Sequence, residues 1–106
     1  MSLADNIDAP LEILDATVVI PQHVVHRTFV TETVVLNLET GKYHGLNPVA
    51  GRMLDVLAAT GSARQAASVL AGEFGQPVDQ VGSDVAELCS GLAQRGLIEL
   101  RDGSQR

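Results

Sequence analysis

The hydrophobic period of the chain changes once, at Asn47-Pro48, and that change restricts the possible folds more than any other feature. Upstream of it, Val34, Leu36 and Leu38 alternate with polar residues, Val35 excepted, which is the period of a half-buried strand. Glu39-Thr40-Gly41 then offers a three-residue hairpin loop, with Gly41 at the left-handed position that follows a type I turn. Lys42 to Leu46 returns as a short strand of the kind found at sheet edges. Asn47 is a helix N-cap residue and Pro48 suits the first helical position, so strand, turn, strand and helix start are all encoded between 33 and 48.

The rest of the chain follows from that boundary. Val24 to Thr31 is a further β-rich run, and a meander of three strands is predicted at about 25–31, 33–38 and 42–46. Thr17 to Ile20 is apolar and β-branched but is stopped by Pro21. Beyond Asn47, Val49, Met53, Leu54 and Leu57 form a helical stripe that ends at Gly61, and Ser62-Ala-Arg-Gln65 has the form of a capping box. A second helix runs through Ala66, Val69, Leu70 and Phe74. Pro77 opens a third, with Val78, Val81, Val85, Leu88 and Leu92 at alternating spacings of three and four. Gly96 ends it, and Leu97 and Ile98 fold back as its apolar cap or as a short final strand. The fold class is α+β: a three-stranded antiparallel sheet followed by three helices, with the outline of a winged helix-turn-helix. The domain is assigned to residues 17–101, with an acidic flexible arm at 1–16 and a tail at 102–106.

Composition then removes whole classes of function. A chain of 106 residues that is 45% hydrophobic, without tryptophan, must build its core from Val, Leu, Ile and Ala. The net charge is −6 and the 7 basic residues stand singly, so no basic stripe is available for a nucleic-acid groove. A lone Cys89 excludes an intrachain disulfide or a cysteine-based zinc site. His23, His26 and His44 show no metal-ligand or nucleophile spacing, and no glycine motif cradles phosphate. Neither a catalytic residue nor a cofactor is predicted. The absence of a secretory segment or a membrane-length apolar run points to a cytoplasmic protein.

Two binding functions remain. The tight turn before helix 77–95 would suit a DNA-binding regulator reading the major groove. That helix, however, sets Asp79, Asp84 and Glu87 against Arg95 alone, the wrong balance for a polyanion. A free strand edge beside an amphipathic helix suits an extended peptide added as a further strand, and proline anywhere in strand 42–46 should then abolish binding. The same edge allows homodimers by edge pairing.

The run Val-Val-Leu-Asn-Leu-Glu-Thr-Gly-Lys-Tyr-His-Gly-Leu-Asn, followed by Asp84-Val85, Leu88, Leu92 and Arg95-Gly96-Leu97, resembles the PqqD-like family over about residues 26–98. These are recognition elements of pathways that modify ribosomally made peptides, including stand-alone elements of lasso-peptide systems. The resemblance implies that a precursor's leader peptide pairs with Lys42, Tyr43, His44, Gly45 and Leu46. On the third helix it implies contacts from Asp84, Leu88, Gly91 and Arg95. It also implies an enzyme partner (a radical enzyme, a leader peptidase or a cyclase), with no nucleic acid and no membrane involved.

Overall fold

A computed structural model describes residues 11–101. A 3-10 turn at Leu11–Asp15 leads into strands β1 (Thr17–Val19), β2 (Val24–Thr28), β3 (Thr33–Asn37) and β4 (Tyr43–Leu46). Helices α1 (Pro48–Thr60), α2 (Ala63–Phe74) and α3 (Val78–Gln94) follow, and β5 (Glu99–Arg101) closes the described chain. Strands β2, β3 and β4 form the expected antiparallel meander, and β1 pairs with β5 in a separate two-stranded sheet. The α+β order of sheet and then helices is as expected, and "winged helix" describes it only loosely.

Local chemistry explains the boundaries, including those that differ from expectation. Strand β2 stops at Thr28 because the Phe29 amide donates to the Glu32 carbonyl and closes a turn, leaving Val30 in solvent. The β3–β4 loop starts one residue earlier than expected. The Asn37 side chain accepts from the amides of Glu39 and Thr40, the Gly41 amide returns to the Asn37 carbonyl, and Gly41 takes φ +76. Asn47 caps α1 through a 2.8 Å bond from the Ala50 amide. Ser62 accepts from the Gln65 amide, but the reciprocal half of the capping box is replaced: the Ser62 amide donates to Thr60 Oγ1. At the end of α3 the Leu97 amide reaches back to the Leu92 carbonyl, Gly96 has φ +74, and Leu97 and Ile98 are buried before β5 begins.

The core lies between the inner face of the sheet and the helices. Val24 and Val35 meet Leu54, Leu92 and Ile98, while Leu57, Leu70 and Val85 are fully enclosed among the helices. Three residues of the predicted stripes do not join this core: Val49, Val69 and Val78 are each about half exposed, at 54%, 49% and 50%. The predicted arm at 1–16 overlaps the 3-10 turn. There Leu14 packs against Gly82, and Asp15 accepts from Arg64 at 2.7 Å. Residues 1–10 and the tail at 102–106 lie outside the described residues. Arg52 of α1 makes a bidentate pair with Glu73 of α2, and this bond holds the Glu73 carboxyl below its usual range.

Helix α1 comes nearest the sheet at Gly51. A side chain there would place its Cβ 2.8 Å from the Cβ of Thr33, which is buried and hydrogen-bonded to Thr28 through their hydroxyls at 3.0 Å. Gly51→Ala is expected to destabilise the domain by about 2 kcal/mol through overpacking. Gly72→Ala, an exposed helical site with nothing within 4 Å, should instead stabilise it by about 0.5–1 kcal/mol. Urea unfolding of the two variants checks both signs.

Candidate functional site

Backbone parity decides what β4 can offer. In an antiparallel pair, alternate residues send both their N–H and their C=O to the partner strand. The Asn37 amide donates to the Lys42 carbonyl, and the register then pairs Val35 with His44 and Thr33 with Leu46. His44 and Leu46 therefore point their main-chain groups at β3, as does the Lys42 carbonyl, while the Lys42 amide donates to Thr40 Oγ1. Tyr43 and Gly45 point theirs the other way, to an edge that, among the described residues, no strand covers. Side chains alternate too: His44 and Leu46 face inward, whereas Tyr43, 76% exposed, and Gly45 lie on the outer face. The glycine is partly screened there, because the Glu32 carboxylate sits 2.9 Å from where a Cβ would be.

This corrects one expectation about proline. Proline at 44 or 46 would remove a donor from the β3–β4 ladder, whereas proline at 43 or 45 would remove one from the free edge alone.

Alongside that edge runs an open groove of about 400 Å³ between β4, the first turns of α1 and one face of α3. His44 and Leu46 form the strand wall, and Val49, Ala50 and Met53 continue it along α1. Asp84, Glu87, Leu88, Gly91 and Arg95 form the helix wall, with Leu92 at its base. Spacing explains that wall: residues 84, 88, 91 and 95 recur at intervals of four, three and four, one face of a helix. Gly91 keeps it open, since nothing lies within 4 Å of where its Cβ would be. A second hollow adjoins the first, lined by Lys42, Tyr43, His44, Arg95 and Leu97 together with Asn37 and Thr40.

All nine residues singled out in the sequence thus lie on β4 or its approach or on one face of α3, but they play different geometric parts. His44, Leu46, Asp84, Leu88, Gly91 and Arg95 line the groove. Lys42 and Tyr43 line the second hollow, and Gly45 contributes backbone. Leu88 belongs to both worlds, half-buried against the core and open to the groove. Sequence reasoning missed Val49 and Glu87, and it missed that Met53, a core residue as expected, also lines the groove. Val49 was expected in the core stripe, and Glu87 was weighed as a negative charge on the third helix. The available signal was position: residues in the first turns after an edge strand stand next to that edge.

Cys89, His23 and His26 lie apart from the groove. Burial pushes the Cys89 thiol up to about 11, so it stays protonated as a core residue. His26 on β2 sits 3.3 Å from Asp55, and His23 in the turn before β2 lies 3.7 Å from Glu39, both away from the groove. Among the described residues, no three His, Cys, Asp or Glu side chains converge as a metal site would need. None of the described helices is long and apolar enough to cross a membrane.

No curated protein sequence matches the chain. Among solved structures it is similar to TbiB1 in complex with the TbiA(beta) leader peptide. The identity is 27%, over 76% of this chain and 94% of that one, with a TM-score of 0.69. It is also similar to lasso peptide synthetase B1 complexed with the leader peptide, at 21% identity over 79% of this chain and 99% of the other, again with a TM-score of 0.69. The second likeness is one of fold alone. The sequence profile of coenzyme PQQ synthesis protein D (PqqD) matches residues 32–98, more than half of the chain, and that span carries β3, the free edge of β4 and both walls of the groove. The chain belongs to the PqqD family.

Proposed function

We propose that this protein is a non-catalytic module that captures the leader of a ribosomally made precursor peptide as an added strand on β4. It then presents that peptide to a separate modifying enzyme. The observation that carries the reading is the juxtaposition of unpaired main-chain groups at Tyr43 and Gly45 with an open, largely apolar groove. TbiB1, similar in fold over most of both chains, is itself bound to a leader peptide, which supports the reading.

Magnitudes say how the two features divide the work. Tyr43 and Gly45 offer about four main-chain bonds, each worth about 1 kcal/mol net. A micromolar complex needs about 8 kcal/mol, and the cost of association must be offset as well. Two or three peptide side chains entering the groove, at about 1.5–3 kcal/mol each, supply the difference. A leader should therefore carry apolar anchors on one face of its strand, aimed between Leu46, Met53, Leu88 and Leu92. The module's contribution to catalysis is effective concentration: it holds the substrate near an enzyme that does the chemistry. Candidate enzymes are a radical enzyme, a leader peptidase or a cyclase.

The test is a fluorescence-anisotropy titration with the labelled leader of the precursor encoded beside this gene, with a random DNA duplex as control. Saturable binding of the peptide and none of the duplex is expected. Gly45→Pro should abolish peptide binding while leaving the thermal midpoint near that of the unsubstituted chain, because an edge donor is lost and the added Cβ requires only the end of the flexible Glu32 side chain to shift. Gly91→Leu should fill the groove, weaken binding at least about tenfold by excluding an anchor, and leave stability unchanged or higher through better helix propensity. Salt-sensitive duplex binding without peptide binding would overturn the proposal.

A further inference from the structure

The charges around the groove are sorted by end. Asp84 and Glu87 stand on the helix wall, while Arg95 is at the far end of α3, where it shares the second hollow with Lys42. Arg95 meets the start of β4, so α3 runs opposite to β4 along the groove, and the two carboxylates lie toward Leu46 and Val49.

Among the described residues, none of these four charges has an oppositely charged partner within 4 Å. Elsewhere Arg52, Arg64 and Arg101 each hold a carboxylate at 2.7, 2.7 and 3.0 Å, while Arg27 on β2 is, like the groove charges, without an ion pair among the described residues. The groove is thus flanked by uncompensated charge of opposite sign at its two ends.

Resting on the leader-binding reading above, the geometry points to a specificity rule: the groove selects a leader strand with a basic side chain at one end and a carboxylate at the other. The basic side chain faces Asp84 and Glu87; the carboxylate faces Lys42 and Arg95. The spacing follows from helix rise. Eight to eleven helical residues separate Arg95 from Glu87 and Asp84, about 12–16 Å. A strand covers that distance in about four or five residues. Only an even step returns a side chain to the same face, so the two charges belong about four residues apart. Their order reports direction: in a peptide antiparallel to β4 the basic residue comes first, and in a parallel one the acid does.

Apolar anchors alone would let a strand slide or reverse, because main-chain bonds carry no sequence. Opposite charges at the two ends penalise both errors, since a reversed strand meets like charge twice. The preference is of few-fold size, as both ends are open to solvent and screened by salt.

The experiment is a charge-reversal cycle at low ionic strength, using the labelled leader of the neighbouring precursor and versions of it with the basic or the acidic residue reversed. Glu87→Lys and Lys42→Glu should each weaken the natural leader about five- to tenfold. Each variant should regain affinity for the peptide whose facing charge is reversed, with thermal midpoints unchanged throughout. Dissociation constants within about twofold across the cycle, with Gly45→Pro still abolishing binding, would overturn the charge rule and leave the leader-binding reading standing. A leader without an oppositely charged pair at about that spacing would overturn the rule in the same way. Failure of the unsubstituted chain to bind any of the peptides would overturn both.

Discussion

Gly51 against Thr33 is the contact on which the arrangement depends. A helix laid on a sheet normally stands off by the length of its side chains, and here the glycine removes one of them. Helix α1 therefore drops onto β3 at the point where Thr33 pairs with Leu46 of β4. The first turns of α1, entered through the Asn47 cap, come to lie beside the end of β4 rather than over its edge. Among the described residues the edge stays open, and Val49 is left facing a groove that Met53, buried in the core, also lines.

A small sheet with an open edge is ordinarily a hazard, since it will accept any strand that reaches it. The molecule narrows that hazard by keeping the edge short. On the β4 edge, Tyr43 and Gly45 alone have outward main-chain groups, too few for tight binding unless side chains also fit the groove. On the proposed reading, recognition is split: the backbone supplies a docking line that any sequence can use, and the apolar walls with their sorted charges supply choice.

The architecture was largely legible in the sequence because local signals agreed with one another. The change from period two to helical period at Asn47-Pro48, the glycines at 61, 75 and 96, and the Ser62 cap all mark boundaries that the structure keeps. The β1–β5 sheet was less legible. Pro21 shortens the first strand, and the pairing joins residues at opposite ends of the chain, so no local pattern announces it. At the site, the resemblance supplied α3 residues that do share one groove-facing side. Periodicity erred with Val49, since a stripe marks which residues avoid the solvent-facing side without saying whether they meet a core or a cleft. Glu87 was passed over for the complementary reason: a carboxylate on a helix looks the same whether it faces bulk water or the mouth of a groove. The parity of β4, which separates 43 and 45 from 42, 44 and 46, depends on the loop's hydrogen bonds. It shifted out of reach once Leu38 joined the loop.

The central claim is that a peptide becomes the next strand on β4 through Tyr43 and Gly45. Amide hydrogen exchange resolved by residue, with and without the leader peptide, tests it most directly. The account expects His44 and Leu46 to be protected in both states and Tyr43 and Gly45 to become protected only when peptide is bound. Peptide binding that left the exchange of Tyr43 and Gly45 unchanged would contradict it, and would move the site away from the free edge.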